Sequence, residues 1–454
     1  MTLLTRIITS PHFLTFRQAI SYWILRDREV EFFFCPSDPH SNVALQALGK
    51  VLQPRFPQVT IRIFIIPSPR EYGMEAYSTD QDRQERWQHR DAQIVGQLYS
   101  DLGISCPPQQ AESLPSSDRK LQACYQCILA VQSEVEGADG SVRLTNDVLK
   151  SLISISNQVL MGKLDADLDD FEEVTKNLLK LSLDSAKKRG IYNSGFLKYG
   201  SDYFWGIDRL GYLETQLIDR GLGDGEVVFK RNHELRCSQT QDNTSLPDCS
   251  NVTLELFWSF RSPYSIIATR PLLELVRKYQ VKLEFRLVLP MVMRGLQVPL
   301  KKKLYILTDA AREARKMDNF QFGDSCDPLG RPVERAFAVF YETARNENKQ
   351  AEFLQAWGDK VWGESVNADT DSGMIAICRE AGLQAPDEEI IQVCNTKISP
   401  DAEWREFAEA NRARMYELGN WGVPTLALKD RSDWSVWGQD RLFEVERMIR
   451  SLAS

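Results

Sequence analysis

The chain has 454 residues, enough for more than one domain, and its 43% hydrophobic and 26% charged residues can build and cover packed cores, which excludes global disorder. A formal charge of −8, from 55 Lys and Arg against 63 Asp and Glu, argues against a general nucleic-acid binder, which needs basic surface to displace phosphate counterions. No run approaches the ~18 uninterrupted apolar residues of a membrane span, so no membrane partner is expected.

The first 27 residues are apolar in character, but Arg6, His12, Arg17 and Gln18 interrupt them and no small-residue cleavage site follows, so the stretch reads as a helix of the fold. VEFFFCPSDPHSNVALQAL (30–48) reads as strand, Pro-containing turn and helix, and VTIRIFIIP (59–67) as a second strand. The helical run LQACYQCILAVQ then carries Cys124-Tyr125-Gln126-Cys127. A redox or zinc C-x-x-C would follow a strand at a helix start, so here two buried core cysteines are the better reading. TNDVLKSLISISNQVLMGKL and DLDDFEEVTKNLLKLSLDSAKKRG are further helices, and FWGIDRLGYLETQL (204–217) closes the half, with GLGDG (221–225) as helix cap and turn. Polar and turn-forming residues then replace any apolar period, which places a linker at 236–250 between domains at 1–235 and 251–454.

The second half repeats this order. VTLELFWSF begins it, VKLEFRLVLP (281–290) is a second strand, and LKKKLYILTDAAREARKM, PVERAFAVFYETARNE, AEFLQAWGDKVWGE and PDEEIIQVC are helical. Asp38-Pro39-His40-Ser41 aligns with Ser262-Pro263-Tyr264-Ser265 at an offset of 224, and FWGIDRLGYLETQL aligns with VWGQDRLFEVERMI (436–449) at 232, the two sharing W-G-x-D-R-L. The order predicts a tandem pair of α/β domains, each with helices inserted in the middle. The nine cysteines are odd in number and scattered, as expected of reduced thiols in a cytoplasm. Histidines 12, 40, 89 and 233 lack any zinc spacing, so no metal is expected, and neither a dinucleotide fingerprint nor a P-loop occurs.

FWSFRSPYS, the approach NWGVPTLAL and the terminal VWGQDRLFEVERMI together resemble the thioredoxin-fold group of 2-hydroxychromene-2-carboxylate isomerases, kappa-class glutathione transferases and DsbA-like proteins. The resemblance covers 251–454, and the first half shares it in outline. It implies two tandem thioredoxin-like (DsbA-like) domains with inserted helical subdomains, the first a degenerate copy. It further implies glutathione as cofactor, with Ser262 as partner of its thiolate and Arg261, Tyr264, Ser265, Val423, Pro424, Gln439 and Asp440 as binding residues. Pro424 matches the group's cis-proline, which leaves the backbone of Val423 to pair with the cysteinyl portion, while Asp440 takes the γ-glutamyl ammonium.

Physical chemistry supports such a site, because a helix start stabilises negative charge and a serine hydroxyl donates to a thiolate without redox chemistry. Bland readings stand beside each residue. Ser262, Ser265 and Asp440 can be helix caps, Pro424 an edge-strand proline, and Arg261 a solvated arginine rather than a charge beside the thiolate. Trp362 and Asp369 read as packing and helix capping. In the first half Gly190-Ile191-Tyr192-Asn193 falls opposite Gly422-Val423-Pro424-Thr425, Asp38 would repel a thiolate, and His40 reads as a satisfied surface histidine. The activity implied is glutathione-dependent isomerisation of an unsaturated aromatic ketoacid. The alternatives are a kappa-like transferase or a DsbA-like binding module without its own dithiol. A pseudo-dimer of the two halves, or a homodimer, is the implied assembly.

Overall fold

The computed structural model describes residues 28–68, 71, 81–108, 115–136, 138–164, 171–231, 249–296, 298–317, 320, 322–323 and 327–452. The expected N-terminal helix and nearly all of the expected linker lie outside them. The chain divides into two compact units between residues 234 and 235.

The first unit runs β1 (Glu29–Phe34), α1 (Pro39–Ala47), β2 (Thr60–Ile65), α2 (Gln81–Leu98), α3 (Ser117–Val131), β3 (Val142–Arg143), α4 (Asn146–Leu160), α5 (Glu173–Arg189), β4 (Phe196–Tyr199), β5 (Asp202–Trp205) and α6 (Leu210–Asp219). The second runs β6 (Thr253–Trp258), α7 (Pro263–Tyr279), β7 (Lys282–Leu287), α8 (Leu300–Ala314), α9 (Arg331–Val339), α10 (Gln350–Trp357), α11 (Asp371–Glu380), α12 (Asp387–Thr396), α13 (Glu403–Glu417), β8 (Thr425–Leu428), β9 (Arg431–Trp437) and α14 (Leu442–Leu452). Both insertions are therefore helical, and β3 is a short edge strand that the sequence pattern did not announce.

The sheets are ordered β3-β2-β1-β4-β5 and β7-β6-β8-β9. In each, the first two long strands pair in parallel and the closing hairpin adds antiparallel strands on the other side. The strands β1 and β6 are central and buried on both faces, which is why EVEFFF and TLELFW read as nearly continuous apolar runs. Each run buries one acid. Glu31 is held by Arg189 at 2.6 Å and Lys198 at 3.0 Å, and Glu255 by Arg286 at 2.9 Å and Arg414 at 3.2 Å. A carboxylate buried this deeply needs such partners.

The two first helices begin alike. Asp38 caps α1 by accepting from the His40 amide at 3.0 Å, and Ser262 caps α7 by accepting from the Ser265 amide at 3.2 Å, each with proline at the first helical position. The loop before each cap is held from the insertion. Ser156 on α4 donates to the Pro36 carbonyl at 2.7 Å, while the Trp357 and Trp362 indoles donate to the Phe260 carbonyl at 2.9 and 3.2 Å. Cys124 and Cys127 lie fully buried within α3, so the C-x-x-C is part of the helical core as its apolar setting implied.

The strand registers correct one alignment. Phe33 faces Phe196 in β4, and Phe257, its partner at the 224 offset, faces Thr425 in β8. Gly195, rather than Tyr192, therefore stands where Pro424 does. The Gly206 amide donates to the Gly195 carbonyl at 3.0 Å, as the Gly438 amide does to the Pro424 carbonyl at 2.9 Å. The hairpin lengths explain the slip: Phe196 pairs with Trp205 whereas Thr425 pairs with Trp437, so the offset of 232 applies only beyond the hairpin.

Candidate functional site

In the second unit three segments converge: the loop from β6 into α7, the loop entering β8, and the turn between β9 and α14. Trp258, fully buried, donates from its indole to the Ser265 carbonyl and the Thr269 hydroxyl, both at 3.0 Å, which anchors the first turns of α7 to the central strand. Phe260 packs edge-on against Trp258, Phe337, Phe353 and Trp357, so the insertion grips the same loop. The Val423–Pro424 peptide is cis, as the resemblance implied.

Ser262 Oγ sits at the meeting point of these loops, accepting from the Ser265 amide and donating to the Val423 carbonyl at 3.3 Å. Its capping reading is thus realised, and the same atom lies beside the cis-proline loop. α7 has 17 residues, long enough for its start to carry a substantial positive field. The hydroxyls of Ser265 and Ser259 are buried beneath that start and find no hydrogen-bond partner among the described residues.

Arg261 is paired rather than free: its Nε and a terminal nitrogen each donate to one oxygen of Asp327 at 2.6 Å, at the partly exposed surface. A fork-on-carboxylate pair of this kind outcompetes a looser partner. Asp440 lies in a 3₁₀ turn, Gln439–Arg441, that leads directly into α14, and accepts from the Gln439 side-chain amide at 2.6 Å. Thr370 caps α11, while Asp369 accepts from Arg331 at 2.9 Å. Trp362 is packing, as expected.

Sequence reasoning found the helix α8 but passed over its acids. Asp309 and Glu313, both buried, lie one turn apart on it and so share a face. Asp309 accepts from the Tyr264 hydroxyl at 2.8 Å and from Arg312 at 2.5 Å, and Glu313 accepts from the Gln439 amide at 3.1 Å. Nearer the helix start, burial lowers the Lys302 ammonium from 10.5 to about 7. The signal was the i, i+4 spacing of acids in a helix read only as part of the inserted subdomain.

The corresponding place in the first unit is filled from within. Asp38 accepts from the Ser194 hydroxyl at 2.7 Å, and the Trp205 indole donates to the Ser194 carbonyl at 3.0 Å. His40 corrects the surface assignment: it is buried between the rings of Trp87 and Trp205, with Nε2 3.2 Å from Asp91. Tyr264 and Asp309 repeat this pairing in the second unit.

Residues 253–450 match the family profile of the DSBA-like thioredoxin domain. Among solved structures, 2-hydroxychromene-2-carboxylate isomerase is 21% identical, with 44% of this chain and 95% of that one covered and a TM-score of 0.36. A thioredoxin-like oxidoreductase from Silicibacter pomeroyi is 19% identical over 44% of this chain and 87% of its own, with a TM-score of 0.28. A probable DsbA oxidoreductase from Streptomyces coelicolor is 14% identical over 44% and 89%, with a TM-score of 0.33. A search of curated proteins returned no match.

Proposed function

We propose that the second unit binds glutathione at the start of α7 and isomerises an unsaturated aromatic ketoacid by reversible thiolate addition. The observation carrying this reading is the position of Ser262 Oγ, at a helix start and 3.3 Å from the Val423 carbonyl. Serines rather than cysteines at 262 and 265 leave no dithiol there. The chemistry left to the site is stabilisation of a thiolate brought by a ligand.

Glutathione sulfur, deprotonated in the field of the α7 start and accepting from Ser262, would add to the conjugated double bond and convert it to a single bond. Rotation follows, and elimination of the same thiolate restores the double bond in the other geometry, with no net redox change. Val423 supplies backbone hydrogen bonds to the cysteinyl portion, Asp440 takes the γ-glutamyl ammonium, and Tyr264, Ser265 and Gln439 complete the binding surface. A kappa-like transferase would use the same site on an electrophile.

One observation favours a different class, a DsbA-like module that binds without turnover: the Ser262 hydroxyl already donates to Val423 and caps its own helix. Calorimetric titration of glutathione into the wild type and into Ser262→Ala and Asp440→Ala decides between them. Saturable one-site binding weakened by Asp440→Ala supports the glutathione reading, and absence of binding leaves the binding module.

We further read the first unit as a degenerate copy whose glutathione chemistry has been lost. Matching strand order, caps and loop anchors support the duplication. Asp38, bonded to Ser194, puts a carboxylate where a thiolate would have to lie. The assembly of the two units as a pseudo-dimer, or of two chains as a homodimer, belongs to the same reading.

A further inference from the structure

We propose that Glu313 is a positioning residue for the ligand's γ-glutamyl end, acting through Gln439 on Asp440; the inference rests on the glutathione reading above. Helix α8 reaches both ligand-bearing segments with acids one turn apart. Asp309 ties the start of α7 through Tyr264, while Glu313 ties the turn between β9 and α14 through Gln439.

The second tie has a specific form. Gln439 Nε2 donates to Glu313 Oε2 at 3.1 Å and to Asp440 Oδ1 at 2.6 Å. A primary amide has two N–H groups and can serve both acceptors at once. Glu313 and Gln439 are each only 4% exposed, so the amide is held from inside the domain, whereas Asp440 is half-buried at the surface side. The buried carboxylate thus sets the amide, and the amide sets the plane of the Asp440 carboxylate. Bonds to ionised acceptors are the stronger kind, and a ligand meeting a pre-oriented carboxylate loses less entropy on binding.

This arrangement predicts that Glu313 governs discrimination between ligands with and without the γ-glutamyl group, not binding in general. The test is calorimetry of the full chain with glutathione and with cysteinylglycine, which lacks that group. The wild type is expected to prefer glutathione. Glu313→Ala is expected to cut that preference about five- to tenfold with cysteinylglycine affinity unchanged. Glu313→Gln keeps an acceptor for the amide and should recover most of the loss. Glu313→Leu keeps the buried volume but removes the acceptor, and should reproduce the effect should Glu313→Ala fail to fold. Equal weakening of both ligands, or a preference that survives these variants, overturns the assignment of Glu313 and leaves the glutathione reading standing. A wild type that binds neither ligand overturns both.

Discussion

At the scale of single residues, the proposed function gives Ser262 two separable duties. Its cap on α7 is worth ~1 kcal/mol, and its hydroxyl lies where a bound thiolate would accept. Ser262→Ala should therefore lower the melting temperature modestly and also weaken glutathione about tenfold at neutral pH. Titrating the ultraviolet absorbance of the bound thiolate should show a raised thiol pKa. A drop in melting temperature with unchanged affinity would leave only the cap. The protein's own thiols behave oppositely, because burial favours their neutral form. Cys35 and Cys106 are pushed from 9.0 to about 12, chiefly by desolvation and then by Asp38. Since the unfolded thiols ionise first, their contribution to stability is complete below pH 9 and is lost as pH rises toward 12. Denaturation midpoints across that window should fall, and a thiol reagent at pH 8 should leave native Cys35 unlabelled.

At the scale of elements, the loop entering β8 is set by packing against β9. A Cβ on Gly422 would lie 2.7 Å from ring atoms of Trp437, which itself packs at a tilt against Trp421. Gly422→Ala must displace the indole or the loop, so we expect ~1–3 kcal/mol of destabilisation, read by chemical denaturation, together with loss of glutathione binding. The central strand carries the other sensitive point. Removing Glu255 takes one partner each from Arg286, which keeps Glu284, and Arg414, which keeps Glu417, so Glu255→Ala should cost ~1–3 kcal/mol; a loss below ~1 kcal/mol would show that the cluster is merely tolerated. Strands and first helices were legible because their patterns are local: continuous apolar runs for central strands, and Ser or Asp before Pro for helix starts. The hairpin was not, because nothing in the 190s announces that β4–β5 turns sooner than β8–β9, and only paired registers show that Gly195 answers Pro424.

At the scale of the whole molecule, each unit has its own sheet with a buried central strand. Residues 251–454 expressed alone should therefore unfold cooperatively and bind glutathione as the full chain does. A fragment that aggregates or fails to bind would show that the first unit is needed for more than tethering. Composition and spacing by themselves determined the α/β order of each half, the central strands, the absence of a dithiol at 262 and 265, and the helix start that carries Ser262, since each depends on neighbours within a few positions along the chain. Only the tertiary structure decided that Arg261 belongs to Asp327, that His40 is buried against Asp91, and that α8 holds both the start of α7 and the turn before α14. Those partners lie tens to more than a hundred residues apart, and the choice among competing carboxylates is made by which of them the folded backbone brings within hydrogen-bonding distance.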